Sequence, residues 1–292
     1  MNPDLDLRKA LDTTTGTTGA YLIPEVVSEG LRRFVVTASP IYAVIPKVMW
    51  PTNAYIYREV NQLPSAAFAA DGATLPNATR GTYAKKTVTM KYIYTRGEVT
   101  GPMKAAAGTV IDALQMEIEL HADVLVRTIE QKILTGDSAV DPNDFDGFIK
   151  QVQTNVHDAA NAQLTLSLLD TALDKPLEYP THIILSRAMG RRLWSLLQAH
   201  QRFIDRTQIE GGFRVPTYND LPILRVDNQI SGLNDVIVMP DMRWAKLVIN
   251  QDITFEPLAK TKDSDDFMLK MYCTLAVEGE SLYHAKLVNV NP

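Results

Sequence analysis

The apolar residues of this chain recur with two periods, and the places where one gives way to the other divide it into elements. Between residues 109 and 135, Val110, Leu114, Ile118, Leu125, Ile129 and Ile133 return at intervals of four and seven residues. Asp112, Glu117, Glu119, Asp123, Arg127, Glu130 and Lys132 fill the other faces. This is the stripe of an amphipathic helix, and Gly136 stands where a left-handed glycine commonly ends one. At ~1.5 Å per residue such a helix is about 40 Å long. The stripe is too short-lived for a coiled coil, which predicts a helix laid across a sheet.

Period two dominates elsewhere. Tyr55-Ile56-Tyr57-Arg58-Glu59-Val60 predicts a strand. From Thr87 to Val99 a second strand is predicted, with Val88, Met90, Tyr92 and Tyr94 on one face and Thr87, Thr89, Lys91 and Thr95 on the other. Residues 61–86 join them through an Ala-rich run around Phe68. The two predict a long hairpin with a loose tip, each arm reaching roughly 33 Å over about ten residues. A lone two-stranded hairpin is marginal in water, so a neighbouring subunit is expected to cover it. A second hairpin follows near the C-terminus. Leu247, Ile249, Gln251, Ile253 and Phe255 share one strand face, and Phe267, Leu269, Met271, Cys273, Leu275 and Val277 alternate without a break. The polar stretch 259–266 is the predicted turn, with Asp265 and Asp266 solvated in it.

The remaining segments are shorter. Residues 1–20 combine a charged start with Thr- and Gly-rich sequence, and predict an arm that holds no core. Glu25 to Phe34 predicts a short helix. Ile183-Ile184-Leu185 predicts a buried strand, and Ser186 the cap of a helix carrying Met189, Leu193, Leu196, Leu197, His200 and Ile204. Val236 to Met239 and Leu247 to Ile249 are further core strands. Residues 150–245 form one compact mixed unit on this reading, and the fold class is α+β.

The chain has 292 residues, 46% apolar and 22% charged, which is ordinary globular usage. Its net charge of −5 argues against a tight nucleic-acid binder, though not against a wall that encloses nucleic acid. One cysteine, Cys273, excludes an intramolecular disulfide. No secretory signal and no membrane span are expected.

Reactive constellations are missing from the sequence. There is no GxxxxGK[ST], GxGxxG or GxSxG motif. Asp141 to Gly147 resembles a calcium loop, but aligning Gly147 with the loop glycine puts Pro142 and Gln153 at ligand positions they cannot fill. The five histidines are scattered, and His121 is expected to be a hydrogen-bonded core or interface residue. Cys273 is expected to be a small buried hydrophobe. Arg187, Arg191 and Arg192 form a basic helix face that could meet an acidic partner but is read as solvated. No catalytic residue, metal or cofactor is assigned. Two long hairpins, an arm and no reactive cluster suit assembly better than turnover.

The order of elements resembles the HK97-fold major capsid proteins of tailed bacteriophages. Thr14 to Glu25 is similar to the family's arm entering its first ordered segment, 52–98 to its extended loop and 109–135 to its spine helix. His182 to Phe203 is similar to the opening of the axial domain, Phe213 to Ile223 to a turn region there, and 247–278 to the hairpin of the peripheral domain. The resemblance implies an N-terminal arm at 1–34, a peripheral domain at 35–51, 99–150 and 246–278, an extended loop at 52–98, and an axial domain at 151–245 and 279–292. It implies a structural subunit, not an enzyme, that self-assembles into hexamers and pentamers of an icosahedral shell around double-stranded DNA. Assembly in the host cytoplasm, a separate scaffolding protein, a portal protein, a decoration protein and no membrane belong to the same expectation. Arg58, Glu59, Arg80, Lys85 and Lys86, in or near the loop, are the expected intersubunit contacts, and no covalent crosslink through Lys85 or Lys86 is expected. An encapsulin-type nanocompartment shell is the nearest alternative, and a soluble α+β enzyme the alternative of a different class.

Overall fold

A computed structural model describes residues 40–72, 74, 77, 79–107, 113–199, 206–208, 214–226, 232–260 and 262–292. The predicted arm, the helix at 25–34, the first turn of the long helix at 109–112, and His200 and Ile204 lie outside the described residues.

The described elements begin with helix α1 (Pro40–Val44) and strands β1 (Lys47–Met49), β2 (Ala54–Gln62), β3 (Thr82–Thr89) and β4 (Lys91–Thr100). Helices α2 (Gly101–Ala107), α3 (Ala113–Thr135) and α4 (Phe148–Gln151) follow. Then come β5 (Val156–Asp158), α5 (Leu166–Leu173), β6 (Ile183–Ser186), α6 (Arg187–Ala199), β7 (Arg206–Gln208), β8 (Arg214–Tyr218), β9 (Leu221–Val226) and β10 (Ile237–Met239). The chain closes with β11 (Ala245–Pro257), β12 (Ser264–Val277), α7 (Glu280–Tyr283) and β13 (Ala285–Val288). The strands form a four-stranded sheet β1-β11-β12-β4, a seven-stranded sheet β5-β13-β10-β6-β9-β8-β7, and the hairpin β2-β3. Among the described residues, one compact unit holds 93–128 and 253–270, and the other 40–92, 129–252 and 271–292.

The first hairpin differs from the sequence reading in a specific way. The strand expected from Thr87 to Val99 breaks at Met90. Its first part, β3, pairs with β2 from Ala54↔Thr89 to Gln62↔Thr82. Its second part, β4, joins the four-stranded sheet as an edge. Met90 itself is buried among Tyr57, Val248 and Ala276, and its N–H donates to Asn53 O at 2.9 Å. The break reverses the alternation. On β4 Gly97 and Val99 face inward, while Tyr92 and Tyr94 are exposed. Tyrosine counts as apolar in a pattern, yet its ring can cover a sheet from outside. Here Tyr92 packs edge-on to Tyr272 at 4.9 Å and donates to Asn53 Oδ1 at 2.7 Å.

The second hairpin follows its pattern more closely. Phe267, Leu269, Met271, Cys273, Leu275 and Val277 are all buried. The turn is shorter than expected, because β12 already begins at Ser264. Asp266 is therefore a strand residue buried in the fold, not a solvated turn residue. It accepts from Ser264 Oγ at 2.7 Å and Arg96 Nη2 at 2.6 Å, and these donors hold its carboxyl below the usual carboxylate range. Asp265, partly exposed, pairs with Lys104 at 2.5 Å and with Lys260.

Two glycines in the unit of 93–128 and 253–270 are set by close approach. A Cβ on Gly97 would lie 2.2 Å from Phe267 Cζ and 2.9 Å from His121 Nε2. A Cβ on Gly101 would lie 2.3 Å from the Asp263 carboxylate. His121 is the hydrogen-bonded residue expected of it, with Nδ1 at 2.5 Å from Thr95 Oγ1 and its ring edge-on to Phe267 at 5.4 Å.

In the other unit, Gly136 does end the long helix, but not as a left-handed cap. Its φ is not positive, and a Cβ there would meet Phe145 O at 2.2 Å. The glycine lets the chain double back, with Gly147 N–H donating to Gly136 O at 2.9 Å. The acidic loop 137–147 is held by its own carboxylates. Asp141 accepts from Asn143 N–H at 2.9 Å, Asp146 from Ser138 N–H at 2.8 Å, and Asp144 pairs with Lys132.

The seven-stranded sheet owes its core to one cluster. Leu164, Leu169, Ile183, Leu185, Met189, Leu193, Ile237 and Leu287 are essentially inaccessible, each contributing roughly 1.5–3 kcal/mol by burial. Helix α5 is capped by Thr165, whose hydroxyl accepts from Leu168 N–H at 3.3 Å. Ser186 caps α6 as expected, accepting from Met189 N–H at 3.3 Å.

Candidate assembly surfaces

The hairpin β2-β3 has a locked base and a free outer face. Because side chains alternate, Tyr55, Tyr57 and Glu59 share one face with Val88, Lys86 and Ala84 of β3. Tyr57 Oη donates to Val277 O at 3.2 Å and Tyr55 Oη to Glu278 Oε1 at 2.7 Å. Trp50 packs edge-on to Tyr55 at 5.1 Å. Burial, then the hydrogen bond to Glu278, pushes the Tyr55 phenol up to about 12. Burial also raises Tyr57, with Glu59 and Glu278 adding to the effect. Both phenols therefore stay protonated as donors, tying the base of the hairpin to Val277 and Glu278. The sequence reading missed this anchor, since Tyr55 and Glu278 are 223 residues apart.

The opposite face carries Ile56 against Thr87, Arg58 against Lys85 and Val60 against Tyr83. Two cations stand directly across from one another, an arrangement that costs a few tenths of a kcal/mol in an isolated sheet. Tyr83 is 73% exposed and Ile56 48%. Further out, Leu63 and Phe68 are exposed. Ser65 and Thr79 hold the two sides of the link together, with Ser65 N–H donating to Thr79 Oγ1 at 2.9 Å.

The five predicted contact residues therefore take different positions. Arg58 and Lys85 are paired in register on the exposed face. Arg80 is exposed just before β3. Glu59 is buried, its side chain 5% exposed, and bonds Lys86 Nζ at 2.9 Å. Glu59 and Lys86 thus spend their charges on each other within the hairpin.

Among the described residues, no group of three or more His, Cys, Asp or Glu side chains is placed to hold a metal ion, and no helix is long and apolar enough to cross a membrane. His284 is fully buried, its Nδ1 accepting from Asp241 N–H at 3.1 Å and its Nε2 lying 3.2 Å from Glu278 O. Burial lowers its pKa to about 4. Cys273 is buried, as expected, and burial pushes its thiol up to about 12, so it is an unreactive packing residue.

The described fold is a mixed one shared by solved shell proteins. The SrpI encapsulin complex of Synechococcus elongatus superposes with a TM-score of 0.69 at 13% identity, over 87% of this chain and 89% of that one. The capsid of cyanophage A-1(L) matches with a TM-score of 0.64 at 11% identity, over 86% and 92%. Microbacterium phage Oxtober96 gives 0.64 at 14%, over 86% and 91%. These likenesses define the class, the HK97-like capsid fold. A comparison with curated proteins finds no significant sequence match. The SU10 major capsid protein family matches residues 11–291, and the chain belongs to that family.

Proposed function

We propose that this capsid subunit closes into pentamers and hexamers of an icosahedral shell around double-stranded DNA, with its hairpin β2-β3 laid on a neighbouring subunit. The carrying observation is family membership over residues 11–291. The hairpin supplies the physical support. Its inner face is bonded to its own unit, and its outer face offers Ile56, Tyr83 and the cation pair Arg58–Lys85. An acidic, partly apolar surface on the neighbour would relieve that like-charge pair and cover the exposed rings. Arg80 extends the same basic edge, and the pair of exposed Lys86 with buried Glu59 joins β3 to β2 within the arm.

The role is structural. Shell contacts repeat many times, so each can be weak, and contacts that join unlike patches can close into rings. A net charge of −5 over the whole chain accords with a subunit that does not hold DNA by counterion release. The peripheral and axial domains, with boundaries as expected from the resemblance, belong to this proposal. So do a separate scaffolding protein, a portal, a decoration protein and assembly in the host cytoplasm.

Negative-stain electron microscopy of the purified chain, alone and co-expressed with its neighbouring gene product, tests the reading. Closed shells or rings of five and six are expected. A monomer or dimer under both conditions at high concentration would refute it. Nuclease-protected DNA in particles from infected cells separates a genome shell from a protein-filled compartment.

A further inference from the structure

Many cations of the described fold meet a carboxylate. Lys104 pairs with Asp265, Lys132 with Asp144, Lys150 with Asp137, Lys246 with Glu278, Lys262 with Glu98 and Arg243 with Asp241. Helix α6 departs from this. It carries Arg187, Arg191 and Arg192 and not one Asp or Glu in its 13 residues. The imbalance extends beyond the helix. Residues 187–225 hold seven arginines and no lysine against three acidic residues, Asp205, Glu210 and Asp220, a net of +4. The whole chain is −5, so all its other residues together carry −9. One basic segment in an otherwise acidic chain points to a polyanionic partner.

The tertiary structure sorts these cations. A spacing of four places Arg187, Arg191 and Ser195 in one row along α6, with Gln198 on the same face, and all four are exposed. Arg192 is engaged elsewhere, its Nη2 donating to Gln163 Oε1 at 3.1 Å. Arg225 arrives from β9. Leu185 pairs with Arg225 and Ser186 with Val226, so Arg225 stands beside the strand from which α6 starts. Its stem rests on the helix: a Cβ on Gly190 would be in van der Waals contact with Arg225 Cδ, 3.4 Å away. Arg225 is exposed as well. Among the described residues, no ion pair engages Arg191 or Arg225.

The chemistry of this face selects its ligand. From Arg187 to Ser195 the row spans about 12 Å, a length over which one DNA strand presents roughly three to four phosphates. Arginine, serine and glutamine are all donors to phosphate oxygens, and a guanidinium can bind two of them at once. No large apolar side chain of α6 is exposed, whereas a protein interface centres on apolar and aromatic groups with few charges. We propose that Arg187, Arg191 and Arg225 contact the phosphate backbone of the double-stranded DNA inside the shell, so that this face of α6 lines the inner wall. The inference rests on the shell-subunit reading and adds the place where the wall touches its contents. Three contacts hold DNA only weakly. That agrees with the acidic remainder of the chain, which repels it.

Fluorescence anisotropy of a short labelled duplex tests the contact, with the subunit kept below the concentration at which shells form. Three phosphate contacts give an affinity that falls about 40-fold between roughly 50 and 200 mM salt. Arg191→Gln with Arg225→Gln leaves one of them. The fall should shrink to about fourfold, and binding at the lower salt should weaken at least ~tenfold. Lys260→Gln with Lys262→Gln removes the same charge at other exposed positions and should change neither. Circular dichroism verifies the fold of each variant. Binding that is unchanged in the arginine variant, equally weakened in the lysine variant, or undetectable in the wild type overturns the proposal. So does tighter wild-type binding of a polyglutamate peptide than of the duplex, which would make α6 a docking face for an acidic protein. Shells that form normally while duplex binding fails leave the capsid reading intact. A chain that never forms shells defeats that reading, and the inner-wall placement with it.

Discussion

Alanine at Gly97 should destabilise the unit of 93–128 and 253–270. The added Cβ would sit 2.2 Å from Phe267 Cζ and 2.5 Å from Cε1, whereas carbon atoms at rest lie about 3.5–4.0 Å apart. The ring cannot simply turn aside. It is 1% exposed, lies 5.9 Å from the Phe255 ring and meets His121 edge-on at 5.4 Å. β4 and β12 must move apart or His121 must leave Thr95. Overpacking of this kind costs about 1–3 kcal/mol, and the shortness of the contact places Gly97→Ala at the upper end. Urea unfolding of the unassembled subunit, followed by circular dichroism, measures it. Phe267→Leu alone also destabilises, by leaving part of the ring space empty. The double variant should recover at least ~1 kcal/mol relative to the sum of the two. Strict additivity, or a Gly97→Ala midpoint equal to wild type, would refute the geometric reasoning.

The β8–β9 turn holds Asn219 at φ 48° and Asp220 at φ 64°, so Asp220→Gly should raise stability by about 0.5–1 kcal/mol, and an unchanged thermal midpoint would contradict this. His284 is buried neutral with a pKa near 4 against an ordinary 6.5. Its contribution, on the order of 3 kcal/mol, is complete above pH 6.5 and shrinks as pH falls toward 4. An NMR titration of the ring with a midpoint near 6.5 would disprove it. Tyr55→Phe removes the Oη bond to Glu278 and should cost about 1.5–3 kcal/mol, as for other hydrogen bonds to a charged acceptor. It should also make residues 54–89 more susceptible to proteolysis, and an unchanged digestion pattern would remove Tyr55 as an anchor. On the outer face, Arg58→Glu with Lys85→Glu should reduce shell yield while leaving the subunit's melting temperature unchanged. Intact shell yield would take both residues out of the interface.

Much of the fold was legible because periodicity is a local property. The helix through Ile118, Leu125, Ile129 and Ile133, the alternating face of β12 and the cap at Ser186 all follow from neighbours a few residues apart. Chain order and element lengths then sufficed for the family resemblance. The composition and missing motifs pointed to a structural role by the same local evidence.

What the sequence could not determine depends on partners distant along the chain. Nothing local distinguishes a strand that continues through Met90 from one that breaks there and changes sheets. The break follows from the burial of Met90 against Val248 and Ala276. Asp266 reads as a turn residue until Arg96, 170 positions away, supplies a counter-charge. Gly136 reads as a helix cap until Phe145 O is found against it. Lys86 and Glu59 read as free contact charges until strand register joins them. In each case the residue type was compatible with several environments. Only the tertiary packing, through burial and the pairing of polar groups that burial demands, selected one.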